Sequence, residues 1–259
     1  MAEKTLIAWT DHTLNLWMGC SKISEGCRNC YALTLTKNRM GLDVWGNSPR
    51  QITKAPWQNA RKWERIASRG EPGLLGNHKP HLVFVGSLMD WAEDVDQLVE
   101  PRERMWLLIK ECRHLHFQLL TKRSENIRRF LPDDWGDGYP NVWLGTSIED
   151  MRVARRADDL RDIPAAVRFI SYEPALGPLD QLDLFGIDWV IYGGESGPGY
   201  REHDLAWPRA MQRKCSETGA AFFYKQSSAP RTEMGITLDG KIVRKYPKPR
   251  RLSAPAMLF

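Results

Sequence analysis

Three cysteines stand close together in the stretch Gly19-Cys20-Ser21-Lys22-Ile23-Ser24-Glu25-Gly26-Cys27-Arg28-Asn29-Cys30-Tyr31-Ala32, with six residues between the first two and two between the last two. Three thiolates on one short loop can hold a metal centre and leave one position open for a substrate or cofactor. Spacing alone leaves three chemistries. Structural zinc needs a fourth ligand, for which His12 is the nearest candidate, and a second Cys-x-x-Cys pair is absent. A redox dithiol of Cys27 and Cys30 leaves Cys20 without a task. An iron–sulfur cluster held by all three cysteines leaves one iron open.

The other two of the five cysteines, Cys112 and Cys215, fall in helical stretches and read as packing residues. A secreted disulfide framework needs an even, dispersed set, so the cysteines point to a reducing compartment. No apolar run approaches ~18 residues, and Met1-Ala2-Glu3-Lys4 begins no signal peptide. The expectation is a cytoplasmic protein with no membrane partner. Its 259 residues suffice for one substantial core and fall in the size range of a single αβ barrel.

The elements that position these cysteines are legible as short apolar runs, each ending in polar or glycine-containing turns. Runs at 81–85, 117–120, 142–144, 167–170, 189–192 and 221–224 are too short for average helices and apolar nearly throughout, as in strands buried on both faces. Helical stretches at 100–114, 151–160 and 205–218 lie between them, with Pro101 suited to a first turn and Gly219 to a C-terminal cap. Strands alternating with helices imply βαβ units and a parallel sheet, either a partial or complete βα barrel or an open doubly wound sheet.

In each unit the polar residues follow the apolar run. Ser87, Asp90, Thr121, Lys122, Thr146, Ser147, Glu149, Glu173, Glu195, Lys225 and Gln226 therefore fall at the C-terminal ends of strands, the edge that carries the site in parallel αβ folds. Some of these, Ser87 and Ser147 among them, also suit helix capping. The barrel is expected to span 1–240, with an insertion or lid at about 41–79 after the cysteine loop. There Trp45, Trp57 and Trp63 interleave with Arg50, Lys54, Arg61, Lys62 and Arg65, either to pack the segment onto the barrel or to stack bases. Residues 241–259 form a basic tail, either solvated or tracking phosphates, on a chain of net charge +5.

The motif Gly26-Cys27-x-x-Cys30-Tyr31-Ala32 before a βα series resembles the radical S-adenosylmethionine (SAM) superfamily. More narrowly, the chain resembles the three-Cys-motif phage protein family in that motif, in Ser171-Tyr172-Glu173-Pro174-x-Leu176-Gly177-Pro178, in Trp189-Val190-Ile191-x-Gly193-Gly194-Glu195-Ser196-Gly197 and in Lys225-Gln226. The resemblance implies a TIM-like barrel of the radical SAM type. It also implies a 4Fe-4S cluster on Cys20, Cys27 and Cys30, and SAM chelated to the open iron and cleaved reductively to methionine and a 5′-deoxyadenosyl radical. An electron donor such as a flavodoxin or ferredoxin is implied as a partner.

The departures from the pattern matter. The superfamily spaces its first two cysteines by three residues, where this chain has six. An aromatic residue often precedes the last cysteine, where this chain has Asn29, and Tyr31 is the candidate to replace it. Where the superfamily has Gly-Gly-Glu for the SAM amino group, this chain has Gly86-Ser87-Leu88-Met89-Asp90, which assigns that role to Ser87 and Asp90. Thr146, Ser147 and Glu149 match positions that contact SAM ribose or carboxylate. Glu173, Glu195, Lys122 and Lys225 remain as candidate catalytic residues on the substrate side. A looser similarity to the spore photoproduct lyase branch, carried by Leu14-Asn15-Leu16-Trp17-x-Gly19-Cys20 and Leu120-Thr121-Lys122, favours a nucleic-acid base as substrate for repair or modification. The rival readings are radical chemistry on a small molecule or peptide, and a zinc-stabilised nucleic-acid-binding protein without catalysis.

Overall fold

The computed structural model describes residues 5–76 and 80–252. The last three residues of the expected insertion and residues 253–259 of the expected tail lie outside the described residues. The strands are β1 (His12–Leu14), β2 (Trp17–Met18), β3 (Gln51–Ile52), β4 (His81–Val85), β5 (Leu115–Thr121), β6 (Val142–Ser147), β7 (Val167–Tyr172), β8 (Trp189–Gly193) and β9 (Ala221–Gln226). Seven of them form one sheet in the order β1-β4-β5-β6-β7-β8-β9, every pairing parallel, curled into a half-barrel. β2 and β3 form a separate antiparallel ribbon.

The helices are α1 (Tyr31–Thr34), α2 (Ala55–Ser68), α3 (Val99–Glu111), α4 (Ile127–Phe130), α5 (Arg156–Arg161) and α6 (Ala206–Thr218). All six apolar runs that read as strands are strands, because a parallel strand covered on both faces must be apolar at both parities. Pro101 lies in the first turn of α3, and Gly219 caps α6 at φ +81°. β1 ends at Leu14, because Asn15 leaves the ladder. Its side-chain Nδ2 donates to Ser87 Oγ at 2.7 Å and its side-chain Oδ1 accepts from Leu88 N–H at 2.7 Å, stapling the β1 and β4 ends together.

The strand period of two sorts the core into two faces. Val83, Val85, Leu144, Val190, Tyr192, Phe222 and Tyr224 pack toward the helices. The opposite parity, Leu82, Phe84, Trp143, Phe169, Trp189, Ile191 and Phe223, fills the inside of the curl together with Trp9. Within residues 41–76 lies α2, whose Trp57 and Trp63 are buried in the helix-side core, so these tryptophans pack the segment rather than stack bases. Arg50 is buried, and Arg61 pairs with Glu111 at 2.8 Å. Cys112 and Cys215 are buried packing residues, as their helical settings implied.

The segment after 240 folds back along the sheet. Val243 carbonyl accepts from Tyr224 N–H, Lys245 N–H donates to Phe222 carbonyl, and Arg250 N–H donates to Ala166 carbonyl just before β7. It thus runs toward the N-terminal ends of the strands. Tyr246 packs on Trp189 and Phe223, and Arg250 pairs with Asp188 at 2.9 Å.

Candidate functional site

The parity that fills the half-barrel with rings continues past the strand ends as polar residues. Leu120 is followed by Lys122, Phe169 by Ser171 and Glu173, Ile191 by Glu195 and Phe223 by Lys225, and all of these polar residues line one cleft at the C-terminal edge. The cleft encloses about 1060 Å³, solvent at its mouth included, over a floor that includes Trp9 and Phe84. Cys20, Cys27 and Cys30 form part of its wall. All three thiols are free. Among the described residues, no three His, Cys, Asp or Glu side chains close on a point as a single-ion site.

The long gap between Cys20 and Cys27 is held at several points. Ser21 donates from its N–H (2.7 Å) and its hydroxyl (2.5 Å) to Glu93 Oε1. Glu93 is itself bound by Arg50 at 2.8 Å, and Arg123 donates to the Ser21 carbonyl at 2.8 Å. Ser24 Oγ donates to Glu149 Oε1 at 2.8 Å and lies 3.9 Å from Cys27 Sγ. Arg201 reaches Glu25 at 3.0 Å. Gly26 lies directly on Glu149, since a Cβ there would stand 2.3 Å from Oε1. Gly19 is the other necessary glycine: its φ is +100°, and a Cβ would meet the Val44 carbonyl oxygen at 1.8 Å. Cys30 then seats on a small cluster of Met18, Ala32, Val44 and Leu88.

Of the residues expected to contact a cofactor, Tyr31, Ser87, Asp90 and Ser147 line the cleft. The Tyr31 hydroxyl donates to Ser87 carbonyl at 2.7 Å. Asp90 is occupied by protein donors: Thr121 Oγ1 at 2.5 Å, Arg123 at 2.8 Å, Ala92 N–H at 3.1 Å and Lys122 N–H at 3.2 Å. Thr146 does not reach the cleft. It has the outward parity of β6, is fully buried, and its hydroxyl donates to Thr121 carbonyl at 3.0 Å. Glu149 lies beneath the cysteine loop, where it binds Arg156 at 2.9 Å and faces Lys122 at 3.4 Å.

The four candidate catalytic residues all line the cleft, and each has an opposite charge beside it. Lys225 pairs with Glu173 at 2.5 Å, and Lys122 faces Glu149. Glu195 binds Arg201 at 2.5 Å and accepts from Asn29 Nδ2 at 3.0 Å. Burial pulls the Glu195 carboxyl upward, but the hydrogen bonds from Arg201 and Asn29 outweigh it and hold it below the usual range. Glu195 thereby braces the turn between Cys27 and Cys30 through Asn29 while remaining in the cleft wall. Burial, reinforced by Asp90, Cys30 and Glu93, pushes the Cys20 thiol well up against a smaller opposing effect of Arg123. A bound cation would offset that rise and favour the thiolate.

His12 is not part of this site. It stacks on Trp63 at 4.2 Å and contacts His81 at 3.3 Å, on the helix-facing side of β1. Sequence reasoning missed Glu93, Arg123 and Arg201. The only local sign was their place just after strand ends, beside Asp90, Lys122 and Glu195.

Fold and site define a class: a parallel βα half-barrel whose cysteine loop walls a cleft at the strand C-termini. No helix among the described residues is long and apolar enough to cross a membrane. The chain belongs to the family described as protein of unknown function (DUF5131), which it matches over residues 4–247. Comparison with curated proteins and with solved structures found no match.

Proposed function

We propose that this protein is a radical SAM enzyme, with a 4Fe-4S cluster on Cys20, Cys27 and Cys30, that modifies or repairs a nucleic-acid base. The observation that carries this reading is three free thiols of one loop in the wall of a cleft at the C-terminal edge of a parallel half-barrel. The donor set fits. Soft thiolates suit iron–sulfur centres, and all three thiols of the loop are free in the wall of one cleft. The cluster and SAM together would supply one-electron cleavage of a sulfur–carbon bond and a radical able to abstract hydrogen.

The chain's own residues hold the loop, shield the site and receive the substrate. Glu93, Glu149 and Glu195 fix the loop from three strand ends. Trp9 and Phe84 offer ring surface on the floor, and every charged lining side chain already has a counterion. That combination favours a flat, uncharged ring with polar edges, as a nucleobase is. The basic tail gives this reading no support, because Arg244 and Arg250 face Glu233 and Asp188 as the segment runs away from the cleft. The zinc alternative loses its proposed fourth ligand, His12, to Trp63 and His81.

Anaerobically reconstituted protein is expected to bind about four iron per chain. With dithionite it should release 5′-deoxyadenosine from SAM, and Cys30→Ala should abolish both. Protein that assembles no cluster, or a Cys30→Ala variant that keeps full SAM cleavage, overturns the assignment. Deuterium transfer from labelled DNA, RNA or nucleosides into 5′-deoxyadenosine identifies the substrate. Transfer only from peptides or other small molecules overturns the nucleobase part.

A further inference from the structure

The carboxylates of the cleft are unequally occupied. Among the described residues, Asp90, Glu173 and Glu195 line it. Both oxygens of Asp90 accept from protein donors, Oδ1 from Thr121 and Ala92 N–H and Oδ2 from Arg123 and Lys122 N–H. Both oxygens of Glu195 do the same, Oε1 from Arg201 and Oε2 from Asn29 and Arg201. Glu173 differs. Its Oε1 accepts from Lys225 Nζ at 2.5 Å, while Oε2 has no donor among the described residues. The side chain keeps 23% of its surface open, so this acceptor is accessible from the cleft.

The backbone sets this pair side by side. Tyr172, Tyr192 and Tyr224 stand in one register row across β7, β8 and β9, and the residues that follow them are Glu173, Gly193 and Lys225. The middle position has no side chain. A Cβ on Gly193 would stand 2.8 Å from Glu173 Cδ, so glycine there lets the carboxylate lean across β8 to the ammonium. The outcome is an open acceptor, Glu173 Oε2, beside a donor, Lys225 Nζ, that has further N–H groups to give. We propose that the Glu173–Lys225 pair grips the substrate base by its Watson–Crick edge, and hence takes a base that is unpaired. This deepens the nucleobase reading above and rests on it. Every standard base has a donor next to an acceptor on that edge: a ring N–H beside a carbonyl in uracil, thymine and guanine, an amino group beside a ring nitrogen in cytosine and adenine. Glu173 Oε2 accepts from the donor, and Lys225 donates to the acceptor. In a duplex both groups are already taken by the opposite strand.

The test uses uridine and N3-methyluridine, which lacks the ring N–H, as probes of the protein as purified. Binding is read by saturation-transfer NMR, which suits weak ligands and needs neither cluster nor SAM. The parent protein is expected to bind uridine at least about tenfold more tightly than its methylated analogue, equivalent to ~1.4 kcal/mol. Glu173→Gln keeps the size of the side chain. Its amide oxygen stays on Lys225 and its NH2 group turns to the cleft, so two donors replace the donor–acceptor pair. The preference for uridine over N3-methyluridine should then shrink to within about twofold, and cytidine, whose ring nitrogen and carbonyl are adjacent acceptors, should gain on uridine. In competition against uridine, a DNA single strand should displace it at least about tenfold better than the same strand in a matched duplex, because unpairing a base costs energy first.

Equal affinity of the parent for the two nucleosides, or binding of neither, overturns the edge-reading role. So does a uridine preference that survives Glu173→Gln, since a methyl group then clashes elsewhere in the cleft. Equal displacement by single strand and duplex overturns the unpaired state of the base. Absence of SAM cleavage in reconstituted protein instead sinks the radical reading, and the NMR result on the cluster-free protein still decides the role of the pair.

Discussion

Glu149 is the perturbation that most directly tests how the cysteine loop is held. Its buried carboxylate accepts from Arg156 at 2.9 Å and from Ser24 at 2.8 Å, lies 3.4 Å from Lys122, and packs under Gly26. Glu149→Ala leaves Arg156 buried without its counterion, a defect that costs about 3–5 kcal/mol. Arg156 keeps the Ser147 carbonyl at 2.8 Å and Lys122 can turn to water, so the lower end applies, about 3 kcal/mol. At roughly 2–4 °C per kcal/mol for a domain of this size, Tm should fall by about 6–12 °C. Glu149→Gln keeps the shape and one acceptor and should lose about half as much. Because Ser24 loses its anchor beside Cys27, alkylation of Cys27 by iodoacetamide should quicken about tenfold, the rate equivalent of ~1.4 kcal/mol of easier local opening. Buried Cys215 serves as the internal reference. Differential scanning fluorimetry and peptide mass mapping of the metal-free protein give both readings. A Tm within about 2 °C of the parent, with an unchanged Cys27 rate, refutes the bracing role.

Three further outcomes follow from the same geometry. Burial first, and then His81, lower the His12 pKa from 6.5 to about 4. The unfolded chain therefore takes up this proton first as pH falls, and stability is lost between pH 6.5 and 4 by up to about 3 kcal/mol. In urea titrations across that range His12→Phe, which keeps the ring on Trp63, should flatten this part of the profile, and an unchanged slope counts against it. Gly19→Ala forces a Cβ toward the Val44 carbonyl at a φ of +100° and should cost at least about 2 kcal/mol in urea midpoint measurements. A neutral result there would mean the turn is not needed. Arg201→Ala frees both Glu195 and Glu25, so Cys30 should alkylate faster in the metal-free protein and reconstituted iron should be lost sooner to a chelator. Parent-like values for both would leave Arg201 a surface pair only.

The sheet was legible because its signal is local. Runs such as Leu82-Val83-Phe84-Val85 and Trp189-Val190-Ile191-Tyr192 state in themselves that both faces are covered, and the polar residues after them then mark the site edge. Parity along the same strands would also have separated Ser147 from Thr146 and retained Glu173, Lys225 and Lys122, a step available in the sequence alone. The braces were not legible. Ser24 meets Glu149, Ser21 meets Glu93 and Asn29 meets Glu195 across 125, 72 and 166 residues of chain. Single charges paired over such distances leave no periodic trace. The tail misled for a related reason: its cations dominate the composition, whereas Val243 and Tyr246 determine where it lies.

The six-residue gap between Cys20 and Cys27 departs from the pattern the cysteines otherwise resemble, and the braces supply a physical reason why it can persist. A longer loop closes at a higher entropic cost and leaves its thiols less constrained, a disadvantage for any centre that needs them prepositioned. Here Ser21, Ser24, Glu25 and Gly26 all contact side chains from later strand ends, so the extra residues are the points of attachment. Three of those attachments end on carboxylates or guanidinium groups that are themselves paired: Glu93 with Arg50, Glu149 with Arg156 and Arg201 with Glu195. Carboxylates aimed freely at the thiols would raise the thiol pKa values and oppose ionisation. Paired with guanidinium groups they hold the backbone, yet Glu93 still adds to the rise of the Cys20 thiol, so a bound cation is what favours the thiolate. The residues added to the loop therefore stiffen it, and the charges that stiffen it are the ones withdrawn from the chemistry of the cleft.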